Sequence, residues 1–254
     1  MALIETEALV LRSYNLSDAD KIVIFMTENS GLIRGVAKGA KRLRSKFGGS
    51  LETLTIVSLT YFQKEDRELV SVREIEMKKS YLASTSDIHF LQKFSYLSEL
   101  LIEFSPPHDP NQRLYNMAKI CLQTASDNYR FLDAISLYFE LWVLRLGGFL
   151  PVWSNCYQCQ KEFSNDIFVN LQMDFQVVCH QCQNIRRNSL ITPEQRFIFS
   201  VAQKVSPQKF VELTADHKES LTDLSLILKR IIARVLDKKE NTQKGLIINY
   251  PPKI

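Results

Sequence analysis

Hydrophobic and polar positions alternate with a period of two through most of the first eighty or so residues. The segments 3–14, 21–28, 32–38, 54–63 and 68–76 are rich in Ile, Val, Leu, Thr and aromatic residues. That composition suits half-buried strands. Asn29-Ser30-Gly31 is a tight-turn signal after the second run, and Lys64–Arg67 is a polar turn between the fourth and fifth. The longest connection falls between the third and fourth. Five strands spaced in this way predict an OB-fold barrel. An SH3-like barrel satisfies the same strand count.

Past Ser80 the apolar period lengthens to that of a helix. Phe90, Phe94, Leu97, Leu101 and Phe104 recur at steps of four and three until Pro106-Pro107 stops them. A second helix is expected from about Asn111 to Thr124. A third, from about Phe131 to Leu146, is apolar on more than one face and ends at Gly147-Gly148. It belongs at the centre of a bundle. Thr192-Pro193-Glu194-Gln195 reads as a capping box that reopens the helical pattern. The last helix carries Leu221, Leu224, Leu228, Ile231 and Val235 on one stripe, with Lys229, Arg230, Arg234, Lys238 and Lys239 mostly elsewhere. The expected fold class is α+β. An OB-fold domain over residues 1–80 precedes a helical domain over 81–254, which is interrupted at about 150–190.

That interruption contains four of the chain's five cysteines. Cys156-x-x-Cys159 and Cys179-x-x-Cys182 are separated by nineteen residues, the spacing of paired zinc knuckles. A reverse turn between cysteines so spaced points both sulfurs inward, and two such turns make a closed thiolate cage for one structural zinc ion. Between the pairs, Ile167-Phe168-Val169 and Phe175-Gln176-Val177-Val178 suggest a short hairpin. Two disulfides are the alternative. The opening residues show no export signal, which points to a reducing compartment and favours metal. His180 is a possible substitute ligand, though four sulfurs already complete the set. Cys121 stands apart on a helical pattern and reads as core.

Composition bounds the function. The chain has 254 residues, 45 per cent of them hydrophobic, with a net charge of only +4 and no run long enough to span a membrane. Charge is concentrated locally. Between Arg34 and Lys46 lie six basic residues (Arg34, Lys38, Lys41, Arg42, Arg44 and Lys46) and no acid, whereas the rest of the first eighty residues hold seven basic and eleven acidic ones. Gly35, Gly39, Gly48 and Gly49 punctuate the cluster, suggesting a flexible loop that admits close approach by a ligand. Such a cationic loop on a barrel suits a phosphate backbone. A solvated loop that only aids solubility is the bland alternative. Tyr14, Phe25, Phe47, Tyr61 and Phe62 are candidate base platforms, most of them better placed as barrel core or strand surface.

The chain resembles the RecO family of bacterial recombination mediators over nearly its full length. The resemblance rests on Ala8-Leu9-Val10-Leu11 through Asp20, Gly31-Leu32-Ile33 and Gly35 through Arg42. Gly48-Gly49-Ser50-Leu51, Leu59-Thr60-Tyr61-Phe62 and Leu146 through Pro151 before a Cys-x-x-Cys continue it. Glu52-Thr53 departs from the family, where a proline often follows the leucine. The resemblance implies an OB-fold followed by a helical domain with a zinc knuckle, although some members lack the cysteines. It also implies DNA repair and recombination within the RecFOR pathway of the DNA damage response. Such a protein binds single- and double-stranded DNA and anneals complementary strands. With RecR it helps to load RecA onto strands coated by single-strand-binding protein, whose acidic tail the basic residues of the last helix would attract. A cytoplasmic, nucleoid-associated location follows, with no membrane partner and no small-molecule substrate.

Two rival classes remain. No Gly-x-x-x-x-Gly-Lys-Ser/Thr loop, clustered acidic pair or nucleophile setting marks an enzyme, and His89, His108, His180 and His217 sit in no catalytic pattern. The expectation is therefore no catalysis. A zinc-stabilised scaffold that contacts proteins without binding DNA is the other reading, with the last helix docking a partner if its apolar stripe is not already core.

Overall fold

The alternating segments form five strands: β1 (Ala2–Asn15), β2 (Lys21–Thr27), β3 (Gly31–Ala37), β4 (Thr55–Gln63) and β5 (Leu69–Ser80). The computed structural model describes residues 2–64, 68–82, 87–184 and 190–248, with side chains as far as residue 237. Residues 65–67 of the expected Lys64–Arg67 turn, and the side chains of Lys238 and Lys239, lie outside the described set. The strands close into a barrel in the order β1-β2-β3-β5-β4. All pairings are antiparallel except β3 with β5, where Gly35 stands opposite Val70. The barrel is of the OB type expected from the strand count.

Alternation dictates the interior. Val10, Phe25, Ile33, Leu59 and Tyr61 are buried in one cluster, so Phe25 and Tyr61 are barrel core. The parallel crossing needs Gly35, because a Cβ there would lie 2.7 Å from a Val72 methyl. Gly31 has a φ of +68°, and a Cβ on it would come within 2.2 Å of the Asp109 carbonyl oxygen. A side chain at either position is excluded.

Two helices follow, α1 (Ile88–Phe104) and α2 (Gln112–Asp127). Asp87 caps the first by accepting from the His89 N–H at 2.8 Å, and Asn111 caps the second through the Leu114 N–H at 3.0 Å. The chain forms two compact units, Met1–Leu132 and Asp133–Ile254. Both helices fall in the first with the barrel. The strand pattern ends near residue 80, yet the contact boundary comes only at Leu132, because side chains tie α2 to β1. Glu7 on β1 accepts from Tyr115 at 2.8 Å, from Lys78 at 2.9 Å and from Lys119. Cys121 on α2 is fully buried, and that burial pushes its thiol up, as fits a core residue.

The second unit is helical. It contains α3 (Leu132–Leu146) from its second residue onward, α4 (Pro193–Ala202), α5 (Pro207–Thr214) and α6 (Lys218–Ile248). Ile135, Leu137, Leu141 and Leu144 of α3 are wholly buried, which is why that helix is apolar on several faces. It ends as Gly147-Gly148 requires, with Gly148 at φ +76° and the Phe149 N–H on the Leu144 carbonyl at 2.8 Å. Tyr138 and Trp142 donate to the Val205 and Ala202 carbonyls at 2.9 and 2.8 Å, fixing α3 against the end of α4. Thr192 and Gln195 form the expected capping box. Leu221, Leu224, Leu228 and Ile231 are buried and Val235 is half-buried, so most of the apolar stripe of α6 is used internally. Between α3 and α4 lies a three-stranded sheet in the order β7-β6-β8, made of β6 (Val169–Leu171), β7 (Val177–Val178) and β8 (Leu190–Ile191). No helix among the described residues is long and apolar enough to cross a membrane.

Candidate nucleic-acid interface and metal centre

The connection from β3 to β4 carries the basic cluster, and it is not the flexible loop that its glycines suggest. Phe47, Leu51 and Leu54 are only 2 per cent exposed, and Phe47 and Leu51 join the barrel core. Burying three apolar side chains anchors the far half of the loop over the barrel. Phe47 is thus excluded as a base platform. The near half is fixed by hydrogen bonds to the turn between β1 and β2. The Gly39 N–H donates to Asp20 Oδ1 at 2.8 Å, the Lys41 N–H to the Ala19 carbonyl at 3.0 Å, and the Lys41 ammonium to the Ser17 carbonyl at 3.1 Å. Between these anchors, Arg42-Leu43-Arg44-Ser45 is a turn closed by the Ser45 N–H on the Arg42 carbonyl at 2.9 Å.

The six cations are not equivalent. Lys38, Lys41, Arg42, Arg44 and Lys46 are exposed, whereas Arg34 is half-buried on β3. Arg34 pairs with Glu68 at 3.3 Å, so part of its charge is already answered. Lys46 donates to the Arg73 carbonyl and lies 5.1 Å from the Phe47 ring centroid. Lys38, Arg42 and Arg44 project to solvent, with Lys41 leaning on the neighbouring turn. Of the candidate aromatic platforms, Tyr14 is 39 per cent exposed and Phe62 is half-buried.

In the second unit the two Cys-x-x-Cys turns meet. The sulfurs of Cys156, Cys159, Cys179 and Cys182 all lie within 4.8 Å of one another, placed to hold a metal ion. Each turn is closed by backbone bonds, the Gln160 N–H on the Cys156 carbonyl at 2.9 Å and the Cys182 N–H on the Cys179 carbonyl at 3.2 Å. Burial alone would raise the Cys156 thiol. Backbone N–H groups of Cys159, Cys179 and Gln158 outweigh it and bring Cys156 down to about 6, so thiolate is favoured there. Hydrogen bonds to the Cys179 and Cys159 sulfurs, and then to Cys156, hold the Cys182 proton and push that thiol up to about 12. A dication bound by all four sulfurs would displace that proton. All four are free thiols, which sets aside the disulfide alternative here. His180 is exposed and lies outside the cluster.

Several residues that hold this segment carry no motif. Trp153 stacks on Phe199 of α4 with ring centroids 4.2 Å apart and donates to the Phe175 carbonyl at 2.9 Å. The Arg196 guanidinium donates to the Ser164 and Ile167 carbonyls at 3.0 and 3.2 Å and lies over Phe163. Arg230 and Arg234 of α6 both sit 5.8 Å from the Phe175 ring centroid, and Arg234 also donates to the Met173 carbonyl. These arginines grip the cysteine-bearing hairpin, so they are less free to attract a distant acidic tail than their charge alone suggests. A cation placed three or four residues from an apolar stripe gives no sign of the ring it will cover.

Residues 1–81 match the family described as Recombination protein O N terminal, and residues 86–244 match Recombination protein O C terminal. A DNA repair protein RecO of Koribacter versatilis is 30 per cent identical over 237 residues, covering 92 per cent of this chain and 94 per cent of the relative. One from Thermodesulfovibrio yellowstonii is 24 per cent identical over 253 residues, 95 per cent of this chain and 97 per cent of the relative. One from Bifidobacterium animalis is 32 per cent identical over 164 residues, 64 per cent of this chain and 68 per cent of the relative.

Proposed function

The chain belongs to the RecO family, a family of DNA repair proteins, and on that premise we propose that it is a recombination mediator that binds and anneals DNA without making or breaking bonds. The observation that carries the reading is the anchored basic turn. Lys38, Lys41, Arg42 and Arg44 are held on a folded platform, with no acid between Arg34 and Lys46 to answer them. Annealing is opposed by repulsion between two phosphate backbones. A fixed cationic surface that holds both strands lowers that barrier, and fixing it beforehand spares the entropy of ordering a loose loop. Single- and double-stranded DNA both present anionic phosphates to such a surface, so both would be ligands.

Partner proteins follow from the same reading: RecR, and the acidic tail of single-strand-binding protein. The second unit supports a site for the tail. A cleft there sets Arg145 and Lys204 beside Phe197 and Val152, giving cations next to exposed apolar surface. The metal is proposed to be a single structural zinc ion. Tetrahedral bonds of about 2.3 Å place sulfurs roughly 3.8 Å apart. The separation of Cys159 and Cys179 is 3.8 Å. Four protein sulfurs leave no coordination position for water, so zinc would supply folding energy and no reaction chemistry. The protein would act in the cytoplasm at the nucleoid.

The test is equilibrium binding of the full chain to dye-labelled single-stranded and duplex oligonucleotides, with magnesium present and strand length read afterwards on a denaturing gel. Binding to both with strand lengths unchanged is expected. Binding to RecR without DNA affinity would replace this reading with the scaffold. Shortened strands would replace it with a nuclease.

A further inference from the structure

The basic turn carries one side chain that phosphate binding does not use. Leu43 lies between Arg42 and Arg44 and is 103 per cent exposed, as open as in an extended peptide. The chain buries Phe47, Leu51 and Leu54 from the same loop, so apolar residues here do reach the core when the backbone allows it. Leu43 is held away from that core by its place inside the closed Arg42–Ser45 turn. Single exposed leucines are common and need no special cause. This one differs in its setting, because every charged side chain of the 38–46 loop is basic and exposed. Turn tips ordinarily favour Gly, Asn, Asp or Ser.

It is also not alone. The β1–β2 turn, to which this loop is bonded through Gly39 and Lys41, presents Leu16 at 48 per cent exposure, and Tyr14 just before it at 39 per cent. Asp18 on that turn is exposed and acidic, so the cationic field is strongest on the Leu43 side. Two bonded turns thus offer apolar side chains, and Leu43 is the one flanked directly by cations. A nucleic-acid strand pairs those same chemistries, with anionic phosphates alongside the flat apolar faces of bases.

We propose that Leu43 is a base-contacting wedge for single-stranded DNA, packing against or between unpaired bases while Arg42 and Arg44 hold the flanking phosphates. The proposal rests on the reading of this loop as the DNA-binding surface and adds to it the means of recognising an unpaired strand. In a duplex the bases are stacked and their faces covered, so the leucine gains less there than on a single strand. Apolar packing releases no counterions, so it changes affinity without changing the salt slope.

The experiment compares wild type, Leu43→Ser and Leu43→Met on a dye-labelled thymidine oligonucleotide, on an abasic strand of equal length and on a duplex. Because Leu43 makes no buried contact, Leu43→Ser should keep the wild-type melting temperature. It should weaken thymidine-strand binding on the order of tenfold, with the salt slope unchanged. Leu43→Met should bind like wild type. On the abasic strand, wild type and Leu43→Ser should bind equally. Equal affinity of wild type and Leu43→Ser for the thymidine strand would overturn the proposal, as would the same loss on the abasic strand. If Leu43→Ser instead weakens capture of RecR and leaves DNA binding alone, the leucine serves a protein contact and the wedge is wrong. Failure here is distinct from failure of the functional reading, which requires that neutralising Lys38, Lys41 and Arg42 leave DNA affinity untouched.

Discussion

Neutralising single cations of the basic loop should change the salt dependence of DNA binding by amounts that follow from where each side chain sits. A cation that meets a phosphate of a single strand contributes about 0.7 to the slope of log affinity against log salt. If all six of the cluster were engaged, the slope would be near −4, and affinity would fall roughly 300-fold between about 50 and 200 mM salt. Arg34 is paired with Glu68, however, and Lys46 is tied twice, to the Arg73 carbonyl and over the Phe47 ring, whereas the Lys41 ammonium has one carbonyl bond only. Lys38, Lys41, Arg42 and Arg44 remain, for a slope near −3 and a loss of roughly fiftyfold over the same range. Arg42→Gln and Arg44→Gln should each flatten the slope by about 0.7, whereas Arg34→Gln should leave it almost unchanged. The triple variant Lys38→Gln, Lys41→Gln and Arg42→Gln should retain a slope near −1, with two- to fourfold weakening over that range. Fluorescence anisotropy on a labelled thymidine oligonucleotide at five or so salt concentrations gives each slope directly. A wild-type slope of −4 or steeper, with Arg34→Gln as damaging as Arg42→Gln, would show that ion pairs in the free protein do not select the cations that engage.

The half-buried Glu7 carboxylate and the metal centre can be tested in the same way. Partial burial raises the Glu7 carboxyl, but hydrogen bonds from Lys119, Lys78 and Tyr115 overcome this and lower it from 4.5 to about 2. A depressed carboxylate stabilises the fold above its unfolded value, and that stability is lost as pH falls from 4.5 toward about 2; in full it is worth roughly 3 kcal/mol. Glu7→Gln should therefore speed hydrogen exchange in α2 at neutral pH by about ten- to a hundredfold and flatten the acid limb, whereas unchanged α2 exchange would deny the tie. Chelation, or Cys179→Ser, should loosen residues 150–190, since metal at such a site supplies roughly 10 to 16 kcal/mol of apparent folding free energy. The Trp153 emission should shift to the red as its stacking on Phe199 is lost. A stripped protein with unaltered emission and melting temperature would contradict that role.

Much of this architecture is legible in the chain, for reasons that individual elements make plain. The strands begin and end within a few residues of the alternating runs because β-branched residues at period two have one low-energy arrangement against a barrel core. The four cysteines were readable because their spacing is set by a local turn. The helix α5 escaped notice although Ser206-Pro207 marks its start, with Ser206 accepting from the Lys209 N–H at 3.3 Å. Eight residues are too few for periodicity to stand out. The strand β8 escaped because two residues acquire strand geometry only from their partner, β6. The fixed state of the basic loop is hidden in the sequence for a related reason. Glycines suggested flexibility, while the spaced Phe47, Leu51 and Leu54 were the available sign that the loop caps a core. The hydrogen bonds from Gly39 and Lys41 to the first turn are long-range and left no local mark. Neither did Glu7, whose lysine and tyrosine partners come from β5 and α2.

If the basic turn brings complementary strands together, the rate of pairing itself reports it. Two complementary oligonucleotides, one with a donor dye and one with an acceptor, are coated with single-strand-binding protein and mixed with wild type or with the Lys38→Glu, Lys41→Glu, Arg42→Glu variant. Rapid energy transfer is expected with wild type, and a rate no faster than the uncatalysed control with the variant, whose melting temperature should be unchanged. Equal rates for the two proteins would contradict it.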